Sequence, residues 1–399
     1  MSLADNQVPI REAVESGLLA GAVTLVWQRG KVLQVNEIGY RDVESALPMQ
    51  RDTIFRVASM TKPVTVAAAL ALAEQGRLAL DDPISRWLPE MADMRVLTQP
   101  AGQLDDTVPA DRPITVEDLM THRSGLAYMF SVSGPISAAY AGVSQRQDQD
   151  RWLAEIAALP LMHHPGERVT YSHATEVLGI ALSRIEGKPL HTVLEERVLG
   201  PLGMADTGFF VSPDKRPRGA IMYRLDESGL HRDALGPVPV REPRFCQGGS
   251  GLVSTADDYL RFIRMLLSGG TVDGVRVLSE QSVQAMRADR LSDEQKLQPF
   301  LGAPFWVGRS FGLNLSVVTD PATSGRLFGP GGPGTFSWPG AYGTWWQADP
   351  ANDLILIYLI QNFPDLTTMA TAVGGTTPFA RLQAVQPRFA RRTYQALGC

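Results

Sequence analysis

Hydrophobic periodicity changes several times along the chain, and each change marks an element. Val8 to Glu15 mixes polar and apolar residues at helical spacing. From Gly21 to Asn36 two β-rich runs flank Arg29-Gly30-Lys31, which predicts a hairpin. Helical spacing dominates the middle. Thr61 to Arg77 is rich in alanine and leucine and stops at Gly76, and Thr115 to His122 opens with Thr-x-Glu-Asp. Asp148 to Leu159, Ser172 to Glu186 and Thr255 to Ser268 have similar spacing, the last ending at Gly269-Gly270. Near the C-terminus, Gly343 to Gln347 leads through Asp349 to Asp353 into Leu354 to Ile360. That last run is apolar at every position, as a strand covered on both faces must be. The glycine- and proline-rich stretch Gly325 to Gly343 reads as a loop entering a strand.

Strand signals at both ends with helices between them predict an α+β fold: one antiparallel sheet assembled from both termini, flanking helices, and an inserted helical lobe. Residues 1–76 and 240–399 are expected to form the sheet domain and 77–239 the mostly helical insertion. A length of 399 residues supports two lobes, being more than one core usually serves. With 44% hydrophobic and 20% charged residues, the chain has the balance of a globular protein with a sizeable core. Its net charge of −5 argues against nucleic acid as a partner. The longest nearly apolar run, Val64 to Ala73, is ten residues, about half of what a membrane span needs. Two cysteines, Cys246 and Cys399, are too few for a disulfide framework. The opening residues lack a basic-then-apolar secretory pattern, so cytoplasmic residence is the expectation, with a removed periplasmic signal as the alternative.

Candidate chemistry narrows by elimination. The six histidines form no His-Glu-x-x-His pair, so no metal is expected. No Gly-x-Gly-x-x-Gly follows a strand, and no serine has the flanking glycines of Gly-x-Ser-x-Gly. Ser-x-x-Lys remains, and it occurs twice although the chain has only five lysines: Ser59-Met60-Thr61-Lys62 and Ser212-Pro213-Asp214-Lys215. Ser59 begins an apolar helix, where unpaired N–H groups favour a developing anion. Lys62 shares its face three residues on. Apolar neighbours keep water from the amine, the setting in which an amine gives up its proton most readily. The alternative for this pair is a helix-capping serine and a surface lysine. Ser212 and Lys215 lie instead in a polar, proline-broken segment read as a loop with a solvated lysine.

The first pair and four further segments together resemble the penicillin-recognising serine hydrolases, the class C β-lactamases and penicillin-binding proteins. Ser59-Met60-Thr61-Lys62-Pro63 precedes Leu78-Ala79-Leu80-Asp81-Asp82-Pro83-Ile84. Leu119-Met120-Thr121-His122-Arg123-Ser124-Gly125-Leu126 and Pro165-Gly166-Glu167-Arg168-Val169-Thr170-Tyr171-Ser172 follow, then Gly248-Gly249-Ser250-Gly251-Leu252-Val253-Ser254-Thr255. The segments occur in order from about residue 10 to 362. The resemblance implies a β-lactamase/transpeptidase-like fold and a catalytic set of Ser59, Lys62 and Tyr171. The family's Lys-Thr-Gly is absent, since no lysine follows Lys296. Trp338-Pro339-Gly340-Ala341 stands in its place and is similar to the Trp-x-Gly of family VIII carboxylesterases.

Loss of that cation and gain of an apolar wall bias the pocket toward neutral acyl esters. The resemblance therefore implies a serine carboxylesterase acting on short-chain small-molecule esters through a Ser59 acyl-enzyme, with no cofactor. The backbone N–H groups of Ser59 and Ala341 would form the oxyanion hole, with Trp338 and Gly340 lining the pocket. Tyr128 and Phe130 either line the acyl or alcohol pocket or pack in the core. His173 is expected at a helix start or on the surface, and Arg326 is a candidate substitute cation. The alternatives on the same fold are an amide hydrolase, such as a β-lactamase or D-aminopeptidase, and an acyltransferase.

Overall fold

The computed structural model describes residues 2–363 and 375–399. Eight strands form one fully antiparallel sheet, in the spatial order Arg309–Phe311, Ser316–Val318, Phe336–Ser337, Trp345–Asp349, Leu354–Leu359, Gly21–Gln28, Lys31–Asp42, Leu47–Pro48. The two termini meet at its centre, where Gly21–Gln28 pairs with Leu354–Leu359 through Val23 opposite Leu359 and Leu25 opposite Ile357. Every residue from Leu354 to Leu359 is buried, because helices cover both faces. One face carries Ile10, Val26, Leu356, Tyr358 and Phe389, with the helices Val8–Glu15 and Val385–Leu397 packed on it. The other carries Leu25, Ile355 and Ile357, and merges with a core that includes Leu72, Leu119, Trp152, Leu178 and Phe262. The Arg29-Gly30 turn that joins the first two strands is left-handed at both residues, with φ 48° and 83°, as a two-residue hairpin turn requires.

Capping chemistry explains where the helices begin. Thr115, Asp148 and Thr255 each accept a hydrogen bond from the backbone N–H three residues on, starting the helices Val116–Met120, Gln149–Ala157 and Ala256–Leu267. At Thr115 the Asp118 carboxylate closes the capping box by accepting from the Thr115 N–H at 2.9 Å. Thr61–Glu74 runs out just before Gly76, whose φ of 68° lies in the left-handed region. Two segments differ from the sequence expectation. Gly325 lies inside a helix, Pro321–Phe328, nucleated by the Asp320 side chain on the Ala322 N–H, and Phe336–Ser337 is a sheet strand. The segment after Ser212 is a 3₁₀ helix, Pro213–Arg218, and Lys215 is ion-paired to Asp206 at 2.9 Å rather than solvated. No helix among the described residues is long and apolar enough to cross a membrane.

Candidate active site

Ser59 is buried, and Val57 and Met60 on either side of it belong to the larger core. Phe55–Arg56 pairs antiparallel with Val253–Ser254, and the Val57 N–H donates to the Leu252 carbonyl at 3.0 Å. The chain then turns through Ala58, whose φ of 45° is left-handed for a residue with a side chain. Such a conformation costs about 1–3 kcal/mol and persists only where surrounding contacts impose it. A single 3₁₀ turn, Ala58–Met60, follows and feeds the helix Thr61–Glu74. That helix takes Met60 as its N-cap with no side-chain bond, so Ser59 is not a capping serine. Lys62 is fully buried, so it is no surface lysine either. Thr61 and Thr65 tie the helix to the Gly248–Leu252 segment: the Leu252 N–H donates to Thr61 Oγ1 at 3.1 Å, and Thr65 donates to the Gly248 carbonyl at 2.6 Å.

Three side chains distant in sequence converge here. The Tyr171 hydroxyl donates to Ser59 Oγ at 2.8 Å. Lys62 Nζ lies 3.5 Å from the same oxygen and 4.9 Å from the centroid of the Tyr171 ring. Tyr171 is carried in by backbone bonds, since Thr170 N–H donates to the His122 carbonyl at 2.9 Å and Tyr128 N–H to the Tyr171 carbonyl at 3.1 Å. The Trp338 indole N–H donates to the Tyr171 hydroxyl oxygen at 3.3 Å, and the two ring centroids are 5.7 Å apart. Trp338 is therefore both an aromatic neighbour of the Tyr171 ring and a polar partner of its phenol. Gly340 has no room for a side chain, because a Cβ there would run into the Val57 carbonyl and the Thr344 hydroxyl. Ala341 is exposed beside it, and its backbone N–H donates to no acceptor among the described residues.

Tyr128 and Phe130 differ in place. Phe130 is partly exposed and stacks on Tyr128 at 5.0 Å. The Tyr128 ring is buried, and its hydroxyl accepts from Lys62 Nζ at 3.0 Å, so it belongs to the polar network as well as to the aromatic wall. That network holds a residue the sequence reading missed. Glu176 lies in the first turn of Ala174–Glu186, fully inside the protein, and accepts the Tyr128 hydroxyl at 2.9 Å. The legible signal was a lone acid amid Ala174, Val177, Leu178 and Ile180, on a helix with no wet face at that point. A cavity of about 260 Å³ opens beside Tyr171, with Val169, Pro299, Phe300 and Leu301 as apolar wall and Ser131, Arg168 and Gln298 as polar edge. Arg326 is exposed on the helix Pro321–Phe328 and is not among the cavity's lining residues. Among the described residues, His191, Glu242 and Cys246 bring three ligand-type atoms within 4.8 Å, and burial pushes the Cys246 thiol up to about 12.

Two histidines border the site, both buried. His173 sits at the helix start, inside the protein rather than on its surface. Burial, and secondarily the charge of Lys62, push it down to about 3. His122, whose ring centroid is 4.7 Å from that of Tyr171, is lowered well below the usual imidazole range by the same two causes. Both are neutral in the folded state, whereas the unfolded chain takes up their protons near pH 6.5. Stability is therefore complete above that value. It falls as pH drops from 6.5 toward 3 for His173, and His122 adds a loss of the same sign. Urea unfolding between pH 7 and 4.5 should show this loss, and His173→Asn should flatten the slope; a slope equal to the parent's removes His173 as a cause.

Comparison with known proteins places this geometry in a family. A family model described as beta-lactamase matches residues 10–373, and the chain belongs to that family. An uncharacterized protein of Mycobacterium tuberculosis is 65% identical over 400 residues, the whole of both chains. Esterase EstB of Burkholderia gladioli is 32% identical over 368 residues, 87% of each chain. The solved structure of EstCE1, described as a hydrolase with promiscuous acyltransferase activity, matches with a TM-score of 0.79 at 26% identity, over 98% of each chain. The fold is the β-lactamase/transpeptidase type that the sequence implied.

Proposed function

We propose that the protein is a serine carboxylesterase that hydrolyses small neutral esters through an acyl-enzyme on Ser59. The observation that carries this reading is the Ser59 hydroxyl held 2.8 Å from the Tyr171 phenol and 3.5 Å from the Lys62 amine. Ser59 Oγ attacks the ester carbonyl, and its proton passes to the Lys62–Tyr171 pair, which in the reacting state holds one proton fewer than a phenol and an ammonium together. Charge that develops on the phenol oxygen meets two stabilising groups, the indole N–H of Trp338 and the ammonium of Lys62 over the ring. The carbonyl oxygen becomes an anion held by the backbone N–H groups of Ser59 and Ala341, and a donor of this kind contributes about 3–4 kcal/mol of barrier lowering. The pair returns the proton to the departing alkoxide, leaving the acyl group on Ser59. Water then attacks with the same pair as base, and Ser59 is released.

The acyl side is bounded by Trp338, Phe300 and Tyr171, an aromatic surface suited to an uncharged chain. The similarity to EstB supports ester substrates, and the similarity to EstCE1 supports acyl transfer to an alcohol in place of water. Turnover of a short p-nitrophenyl ester, measured beside nitrocefin, tests the reading. The ester should give the higher kcat/KM by a wide margin, and a preference for nitrocefin would make this an amide hydrolase. Added acceptor alcohol with a new ester as product would establish the transferase activity.

A further inference from the structure

Lys62 carries the proton chemistry only if its amine is held in place, and three acceptors surround it. The Gly249 carbonyl lies at 2.8 Å, the Tyr128 hydroxyl at 3.0 Å and Ser59 Oγ at 3.5 Å. A phenol has a single proton to give, and Tyr128 gives it to Glu176, at 2.9 Å to Oε1 and 3.1 Å to Oε2. With its hydrogen committed to the carboxylate, the Tyr128 oxygen presents a lone pair to the amine. Gly249 completes the arrangement from the other side. Any side chain there would collide with the Glu176 carboxylate, so loop and helix approach at backbone distance, and the same glycine offers its carbonyl to Lys62.

Glu176 is 1% exposed, and a buried carboxylate without a compensating charge costs several kcal/mol. Among the described residues no arginine lies within ion-pair distance of it. The nearest ring nitrogen, on His173, is 4.0 Å away and belongs to a neutral imidazole. Its remaining neighbours are the Tyr128 phenol, Lys62 and the Ser250 hydroxyl. Lys62 is thus the charge that balances it, through the shared phenol. We propose that Glu176 is a positioning residue for the Lys62 amine, acting through Tyr128 in a Glu176–Tyr128–Lys62 relay that fixes the amine beside Ser59. The inference rests on the assignment of Ser59, Lys62 and Tyr171 as the reacting groups. The electrostatic surroundings of Tyr128 and Glu176 agree with the relay. Burial, together with the Glu176 charge, holds the Tyr128 phenol well above its usual range, so it stays a donor; burial raises the Glu176 carboxyl while Lys62 and the phenol oppose that rise.

The test compares Glu176→Gln, which keeps shape and acceptor but removes the charge, with Glu176→Asp, which keeps the charge at shorter reach. Steady-state hydrolysis of a p-nitrophenyl ester across pH is the readout. Glu176→Gln should lower kcat by about tenfold or more with KM nearly unchanged. It should also move the acid limb of kcat/KM toward lower pH, since losing a neighbouring anion disfavours the charged amine. Glu176→Asp should recover part of kcat and keep the limb in place. A Glu176→Gln enzyme with parental kcat and pH profile overturns the relay. Should that variant not fold, Tyr128→Phe severs the same chain and should lose kcat similarly; parental kcat there overturns it equally. Ser59→Ala is run alongside. If it is dead and the parent active, a failed relay leaves the serine mechanism standing; if it still turns over ester, the esterase reading itself fails.

Discussion

Replacement of Ser59 by alanine should remove ester turnover by at least about 10⁴-fold and leave a folded protein. The loss should be that large because, among the described residues, Ser59 Oγ is the one hydroxyl within hydrogen-bond reach of both Lys62 and Tyr171, so its removal would leave the pair without a nucleophile to activate. The fold survives because each partner keeps other contacts. Lys62 retains the Gly249 carbonyl and the Tyr128 hydroxyl, and Tyr171 retains the Trp338 indole N–H. The stability change should therefore be about 1 kcal/mol, the net worth of a hydrogen bond. Two measurements check this: hydrolysis of a p-nitrophenyl ester, and labelling by a fluorophosphonate probe with the modified peptide located by mass spectrometry. Labelling retained in Ser59→Ala would move the nucleophile elsewhere.

Tyr171→Phe should reduce the rate of acylation by at least about a hundredfold. The ring is kept, and with it the edge contacts to His122, Trp338 and Phe300, so the pocket keeps its shape. What disappears is the hydroxyl 2.8 Å from Ser59 Oγ, and with it one half of the pair that moves the proton. The indole N–H of Trp338 also loses its acceptor in a buried place, which costs about 1–3 kcal/mol of stability. Stopped-flow acylation separates the two effects, because the chemical step slows whereas binding to the aromatic wall does not. An acylation rate near that of the parent would leave Lys62 as the sole base.

Much of the fold was legible in the linear pattern because the period of apolar residues is a local property. The all-apolar run Leu354 to Leu359 announced a strand covered on both faces, and Thr115, Asp148 and Thr255 announced helix starts by a side-chain bond three residues long. Gly325 was misread because glycine and proline density suggests a loop, whereas Asp320 and Pro321 supply a cap and a first turn strong enough to carry one glycine. Ser212-x-x-Lys215 and Ser59-x-x-Lys62 have the same spacing and different surroundings: a half-buried ion pair to Asp206 in one case, full burial in the other.

By itself the sequence determined the element order, the serine–lysine spacing of three residues, and the absence of any lysine after Lys296. Tertiary structure alone decided that a phenol 112 positions away touches Ser59, that Trp338 reaches that phenol with its N–H, and that Glu176 stands behind Tyr128. The physical reason is range. Periodicity and capping involve neighbours within a turn or two, while the direction of a buried polar side chain is set by whichever distant group satisfies it.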